Sequence, residues 1–265
     1  REPGLTYKAD IHSESRAALA GGVNSYMEMP NTKPAAATQE LLEDKYQIAS
    51  LSSIVNYSFY MGATNENLEH ILQTNPNNVC GVKVFMGSST GNMLVDDTTV
   101  LEGIFSRVGM LIATHCEDEA TIRGNLEKYK DTPNLDATYH PIIRSREGCY
   151  KSSSLAVTLA KKHGTRLHVL HISTAEELEL FEAGDVRDKK ITSEACVHHL
   201  FFDSSYYSIL GNDIKCNPAI KDISDRDAIM KALLEDRIDV IATDHAPHTR
   251  EEKDKPYSSA PSGLP

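Results

Sequence analysis

The 265-residue chain has no Gly-x-Gly-x-x-Gly turn, no P-loop, no Cys-x-x-Cys pair and no apolar run close to the length of a membrane span. The first two absences remove the usual sequence grounds for a nucleotide-binding, doubly wound sheet. The third absence leaves five scattered cysteines (Cys80, Cys116, Cys149, Cys196 and Cys216). An odd, unpatterned set argues against a disulfide framework and for a reducing, cytoplasmic setting. A bilayer crossing needs about 20 consecutive apolar residues, which the chain does not supply. Basic residues are outnumbered, 27 Lys and Arg against 38 Asp and Glu, for a net charge of −11 and a pI near 5.5. That balance argues against nucleic acid or an anionic membrane as the main partner. It leaves room for a small anionic substrate, because one local arginine can outweigh a diffuse field. No signal peptide is visible, and the chain opens on Arg1-Glu-Pro-Gly without Met, which reads as a piece of something longer.

What is present is ordinary for a globular protein, 40% hydrophobic and 25% charged, and long enough for one large domain. Strand-like runs fall at 22–29, 53–61, 81–86, 110–114, 166–172, 190–196 and 239–243. Helical patterns lie between them at 6–20, 38–52, 65–73, 98–108, 145–163, 174–183 and 224–236. Thr174 with Glu177 reads as a capping box, and Ser224 with Asp227 as a looser one. Strands alternating with helices predict βαβ units and a parallel sheet, hence the α/β class. Seven strands and an abrupt start suggest a (β/α)8 barrel whose first strand lies just before residue 1, with 1–265 as a single barrel domain. The stretch 117–165 reads as an insertion followed by a helix. The tail 249–265, charged and then rich in Ser, Pro and Gly, reads as a long mobile loop and a candidate lid.

Three of the apolar runs deliver chemistry at their ends: Thr114-His115-Cys-Glu117, Leu170-His171-Ile-Ser173 and Thr243-Asp244-His-Ala-Pro-His248. Imidazole and carboxylate at equivalent strand ends suit a borderline divalent cation. Each histidine taken singly reads better as a satisfied core residue; it is the two at equivalent strand ends, with Asp244 at a third, that favour ligands. Lys83, inside Val82-Lys-Val-Phe, sits where an ammonium is costly. Burial lowers a lysine pKa, and a neutral lysine can take up carbon dioxide as a carbamate, which is able to bridge two cations. The competing reading is a lysine that snorkels or pairs with a carboxylate. Asp244 can ligate a metal and pass a proton from an attacking water to a leaving amine, or can be a turn residue. Arg1, Asn31 and His248 could together hold a carboxylate, although each alone has a bland reading. Glu117 and Glu194 are candidates to orient a ligand from behind, and His140 and Arg144 to support the site from the insertion. His198 and His199 follow the sixth strand, where one could face the site although packing is the favoured reading, and His12, His70 and His163 read as solvated. Cys116 simply follows a candidate ligand, which is poor support for a Cys-His nucleophile.

Several segments, in this order, resemble the dihydroorotase family of the amidohydrolase superfamily. They are Arg1-Glu-Pro-Gly-Leu-Thr-Tyr-Lys, Met29-Pro-Asn-Thr, Val82-Lys-Val-Phe-Met, Thr114-His-Cys-Glu-Asp, Leu170-His-Ile-Ser-Thr, Cys216-Asn-Pro-Ala and Ala242-Thr-Asp-His-Ala-Pro-His248. The likeness runs nearly the whole length. The Arg-Glu-Pro-Gly and Met-Pro-Asn-Thr pieces favour this family over allantoinase and hydantoinase relatives. The resemblance implies a (β/α)8 metal-dependent hydrolase barrel with two zinc ions. Lys83 would be carboxylated and bridge them, His115 and His171 would bind one zinc, and Asp244 would bind the other and act as general base and acid. Arg1, Asn31 and His248 would clamp the substrate carboxylate, with Asn217 near the ring. The implied reaction is the reversible cyclisation of N-carbamoyl-L-aspartate to dihydroorotate in pyrimidine synthesis, and a homodimer is compatible with it. The family's His-x-His, just ahead of Arg-Glu-Pro-Gly, is not in this chain. The resemblance therefore implies that a parent protein supplies it, together with a small β-sandwich from both termini. The alternatives are an allantoinase or hydantoinase-type enzyme, for which Arg1 and Asn31 would be unneeded, and a non-catalytic partner domain.

Overall fold

The computed structural model describes residues 1–87 and 92–265. They form two compact units. One runs from Arg1 to Phe85 and includes the stretch ending at Ala113; the other runs from Thr114 to Pro265 and includes Met86 and Gly87.

In the first unit, β1 (Ser25–Glu28), β2 (Asn56–Gly62) and β3 (Gly81–Phe85) pair in parallel, with Tyr26 opposite Tyr57 and Met61 opposite Val82. Helices Ile11–Ala20, Gln39–Ser52, Leu68–Leu72 and Thr98–Arg107 fill the connections. Phe59, Met61, Ile71, Val84, Ile104 and Phe105 are buried between these layers, the apolar burial that drives the packing. β3 is buried at all five positions, Lys83 included. A strand covered on both faces is expected to read as such a continuous run.

β4 (Ile112–His115) leads into the second unit, which holds β5 (Leu167–Val169), β6 (Ile191–Cys196) and β7 (Val240–Ala242). Leu167 pairs with Ile191 and Cys196 with Ala242, again in parallel. The Leu170 amide donates to the Thr114 carbonyl, and the Ile172 amide to the Glu194 carbonyl. The C-terminal ends of β4, β5, β6 and β7 are therefore level with one another. Strands are neighbours in chain order from β1 to β7, the order of the (β/α)8 class predicted. Helix Arg146–His163 spans the β4–β5 connection, and a separate cluster of Ile122, Ile143, Tyr207, Ile214, Ile220 and Tyr257 packs the insertion against the chain after β6. No helix among the described residues is long and apolar enough to cross a membrane.

Four local readings change. The first helix begins at Ile11, not near residue 6, because the Asp10 carboxylate accepts the Ser13 amide and closes a capping box. The stretch 174–183 holds only a 3-10 turn, Glu176–Leu180. Its predicted cap is nonetheless made, since the Thr174 hydroxyl accepts the Glu177 amide and donates to the Glu177 carboxylate at 2.9 Å. Helix Ile223–Leu234 is capped two residues upstream of the expected pair, by Asp222 with Asp225.

The fourth is the tail, which is tied down. Lys215 Nζ donates to the carbonyls of Tyr257 (2.7 Å) and Ala260 (2.6 Å), and Lys253 Nζ to those of Gly263 (2.9 Å) and Pro261 (3.2 Å). The Gly263 amide returns a bond to Lys215, and His245 bridges Leu264. Composition signalled a loop because the tail offers few apolar side chains. It gave no sign that backbone carbonyls would be the groups held.

Candidate metal centre

His115 ends β4 and His171 lies two residues past β5. His115 Nδ1 is 2.9 Å from His171 Nε2, and both rings are buried. The far nitrogen of His115, Nε2, meets Glu117 Oε2 at 3.0 Å, and Arg144 NH1 donates to the same oxygen at 2.6 Å. Burial alone would raise the Glu117 pKa, but Arg144 and then His115 outweigh it and hold the carboxyl well below the usual range. Glu117 is thus a buried carboxylate kept charged by a guanidinium from the insertion. His140, also in the insertion, bonds Tyr257 and the Cys216 carbonyl. Burial, with Arg144 next, keeps it neutral. Both insertion residues named from sequence thus reach groups of this unit's strand ends and tail.

His171 adopts φ 38° and Asp244 φ 45°, the left-handed region where a non-glycine residue is uncommon and marks stored strain. The other two such residues described are Asn134 and Asp236; Asn, Asp and His are the types that adopt this backbone at least cost. At His171 the backbone amide donates to Glu194 Oε1 at 3.2 Å, while Glu194 Oε2 meets His168 Nε2 at 3.0 Å. Glu194 therefore braces the turn that aims His171, one strand over from it. Asp244 stands two residues past β7. Its charge, after burial, is the next cause holding the thiols of Cys196 and Cys216 up. The Asn217 side-chain oxygen is buried with no hydrogen-bond partner, a group that a ligand could satisfy. His248 Nε2 donates to the Ser262 carbonyl at 3.0 Å. Gly263, at φ 143°, lets the tail pass there: a Cβ would fall 2.5 Å from the Ala246 oxygen and 2.9 Å from His248 Nε2.

Lys83, Arg1 and Asn31 belong to the first unit. Lys83 is 2% exposed, with Nζ 3.9 Å above the Phe85 ring and 3.5 Å from the Val84 carbonyl. Asn31 follows β1 in a turn fixed from both sides. The buried Lys45 donates to the Met29 carbonyl and pairs with Glu28, and the Lys33 amide donates to the Pro3 carbonyl at 3.2 Å. That last bond joins the Arg1-Glu-Pro-Gly loop to the Met-Pro-Asn-Thr turn.

The donors of the second unit fit a divalent cation. Two imidazole nitrogens converge, and a charged carboxylate sits on the outer nitrogen of one ring, the arrangement that fixes the ligating tautomer. Parallel strands in chain order with these donors at their C-terminal ends are the layout that (β/α)8 enzymes use for their sites.

No family model matches the chain. It is 33% identical to the dihydroorotase of Methanosphaera stadtmanae over 270 residues, 32% to that of Halobacterium salinarum over 267, and 31% to that of Enterococcus faecalis over 270, all of this chain being covered each time. It spans about 60% of the length of these relatives. Among solved structures, L-hydantoinase from Arthrobacter aurescens superposes with a TM-score of 0.92 at 23% identity, over 99% of this chain and 60% of that one. Dihydroorotase from Saccharomyces cerevisiae gives 0.72 at 17%, over 94% and 69%. The structural matches show the fold, and the sequence matches make the chain similar over its whole length to curated dihydroorotases.

Proposed function

We propose that this chain is the main catalytic part of a metal-dependent dihydroorotase, interconverting N-carbamoyl-L-aspartate and (S)-dihydroorotate. The observation that carries the reading is the buried His115–His171 pair, backed by Glu117 and Arg144, in a chain similar to dihydroorotases over its whole length. In this proposal the chain acts as one catalytic domain, in the cytoplasm, on a small-molecule substrate.

His115, His171 and Asp244 would hold zinc, together with Lys83 as its carbamate. Two such cations would supply Lewis acidity and make water acidic enough to ionise near neutral pH. The protein's own groups do the rest. Asp244, held at its strand end by a left-handed backbone, takes the proton of the attacking water as a C–O bond forms at the ring carbonyl. It returns that proton to the ring nitrogen as the C–N bond breaks and the ring opens to carbamoyl aspartate. Arg1, Asn31 and His248 bind the ring carboxylate, and the unpaired Asn217 oxygen accepts a ring N–H. Fixing the carboxylate selects this ring and orients its carbonyl.

The test uses the full-length protein that contains this chain, assayed for dihydroorotate hydrolysis and zinc content beside His171→Ala and Lys83→Ala. Turnover on dihydroorotate that both substitutions abolish, with less zinc retained, supports the reading. Hydrolysis of hydantoin without turnover of dihydroorotate moves the assignment to the hydantoinase branch. An intact, folded protein that turns over neither ring sinks both.

A further inference from the structure

Cys196 is the last residue of β6, and His198 and His199 lie in the short helix Val197–Phe201 that follows it. One donor atom from each of the three lies within 4.8 Å of the others. All three are buried, at 0%, 4% and 3% exposure. The two rings are inclined at 54° with centroids 4.4 Å apart. At that angle they are not stacked in parallel.

The hydrogen bonds assign the lone pairs. His199 Nε2 lies 3.1 Å from the Pro218 carbonyl. A carbonyl only accepts, so Nε2 carries the hydrogen and Nδ1 carries the lone pair. That Nδ1 is buried with no hydrogen-bond partner, and so is Nε2 of His198. The Cys196 side chain makes no cap to the helix it precedes. Buried polar atoms are nearly always satisfied, so two orphan imidazole nitrogens beside a thiol call for an occupant. A backbone carbonyl on the outer nitrogen of a histidine is also how a ligating tautomer is fixed.

We propose that Cys196, His198 and His199 form a cation site of their own, for a borderline-soft divalent ion such as zinc. One thiolate and two neutral imidazoles suit such an ion rather than magnesium or calcium. Three protein donors are the number that leaves a tetrahedral shell open to one further ligand. Binding requires loss of the Cys196 proton, which is released to solvent as the S–metal bond forms. The site shares no residue with the His115–His171 centre and does not rest on the dihydroorotase reading.

The thiolate makes it separable by experiment. Full-length protein is stripped of metal, reloaded with cobalt(II) and examined in the near ultraviolet, where thiolate-to-cobalt charge transfer appears and nitrogen and oxygen ligands contribute none. The band is expected in the wild type and in His171→Ala. It should vanish in Cys196→Ser, and in His199→Gln the titration that follows it should weaken by more than the roughly 10–100-fold typical of losing a supporting partner. Circular dichroism checks the fold of each variant, and if Cys196→Ser does not fold, His199→Gln decides. Cobalt bound without the band, a band that survives Cys196→Ser, or an unchanged titration in His199→Gln overturns the proposal.

Discussion

Glu117 Oε2 stands 3.0 Å from His115 Nε2, on the side of the ring away from His171. The carboxylate fixes the His115 ring with its Nδ1 towards His171, and Arg144 keeps that carboxylate charged in a buried setting. Glu117→Gln keeps the shape and removes the charge. It should lower zinc affinity and turnover about 10–100-fold, the usual cost of losing such a partner. It should also destabilise the fold, because Arg144 loses its counter-charge. Metal titration and kinetics on the same preparation check this; unchanged metal affinity would mean that Glu117 serves only Arg144.

Asp244 carries a second measurable signature, its φ of 45°. An L-residue with a Cβ is strained there, by about 1–3 kcal/mol at the extremes, and glycine is not. Asp244→Gly and Asp244→Ala should both be inactive if this carboxylate moves the proton. The glycine variant should be the more stable of the two by roughly 1 kcal/mol in urea denaturation. Equal stabilities would argue that the turn relaxes once the side chain is gone, and residual activity in either variant would remove Asp244 from proton transfer.

How much of this was legible beforehand follows from the kind of signal each feature leaves. Strand ends bearing His115, His171 and Asp244 stood out because apolar runs punctuated by a ligand type are local in sequence, and all seven strands lie where those runs do. Glu117 and Arg144 were legible only as candidates, since their pairing spans 27 residues and nothing local encodes it. His198 and His199 read as packing residues because buried histidines usually are. The departure lies in unpaired nitrogens on two rings that cluster with Cys196, which no pattern displays. The left-handed backbone at His171 left no trace either, for histidine gives no turn signal of the kind glycine or asparagine gives.

Gly4 offers a test confined to the first unit. Its φ is 84°, and a Cβ there would sit 2.0 Å from the Lys33 carbonyl oxygen. That is the close approach that lets the Pro3 carbonyl accept the Lys33 amide. Gly4→Ala is strained on both counts and should cost more than about 1 kcal/mol. If Arg1 and Asn31 hold the substrate carboxylate, pushing the two loops apart should raise KM for dihydroorotate more than it lowers kcat. A loss of stability with KM unchanged would detach these loops from substrate binding.

Lys253 links the tail to pH. Burial lowers its pKa to about 8 from an ordinary 10.5, and does the same to Lys215. The unfolded chain then binds more protons than the folded one between about pH 8 and 10.5. Stability contributed by these lysines is therefore smallest below pH 8 and rises as pH climbs through that window. The amine still donates to the carbonyls of Gly263 and Pro261 when neutral, so what is relieved is the cost of a buried charge. Lys253→Met leaves those carbonyls unpaired and should destabilise by about 1–3 kcal/mol. The gap between wild type and variant should widen from pH 7 to pH 9.5, even as both proteins respond to alkali in other ways. Urea denaturation at the two pH values measures it. A gap that narrows would mean that Lys253 is held by its charge, with its folded pKa raised and not lowered.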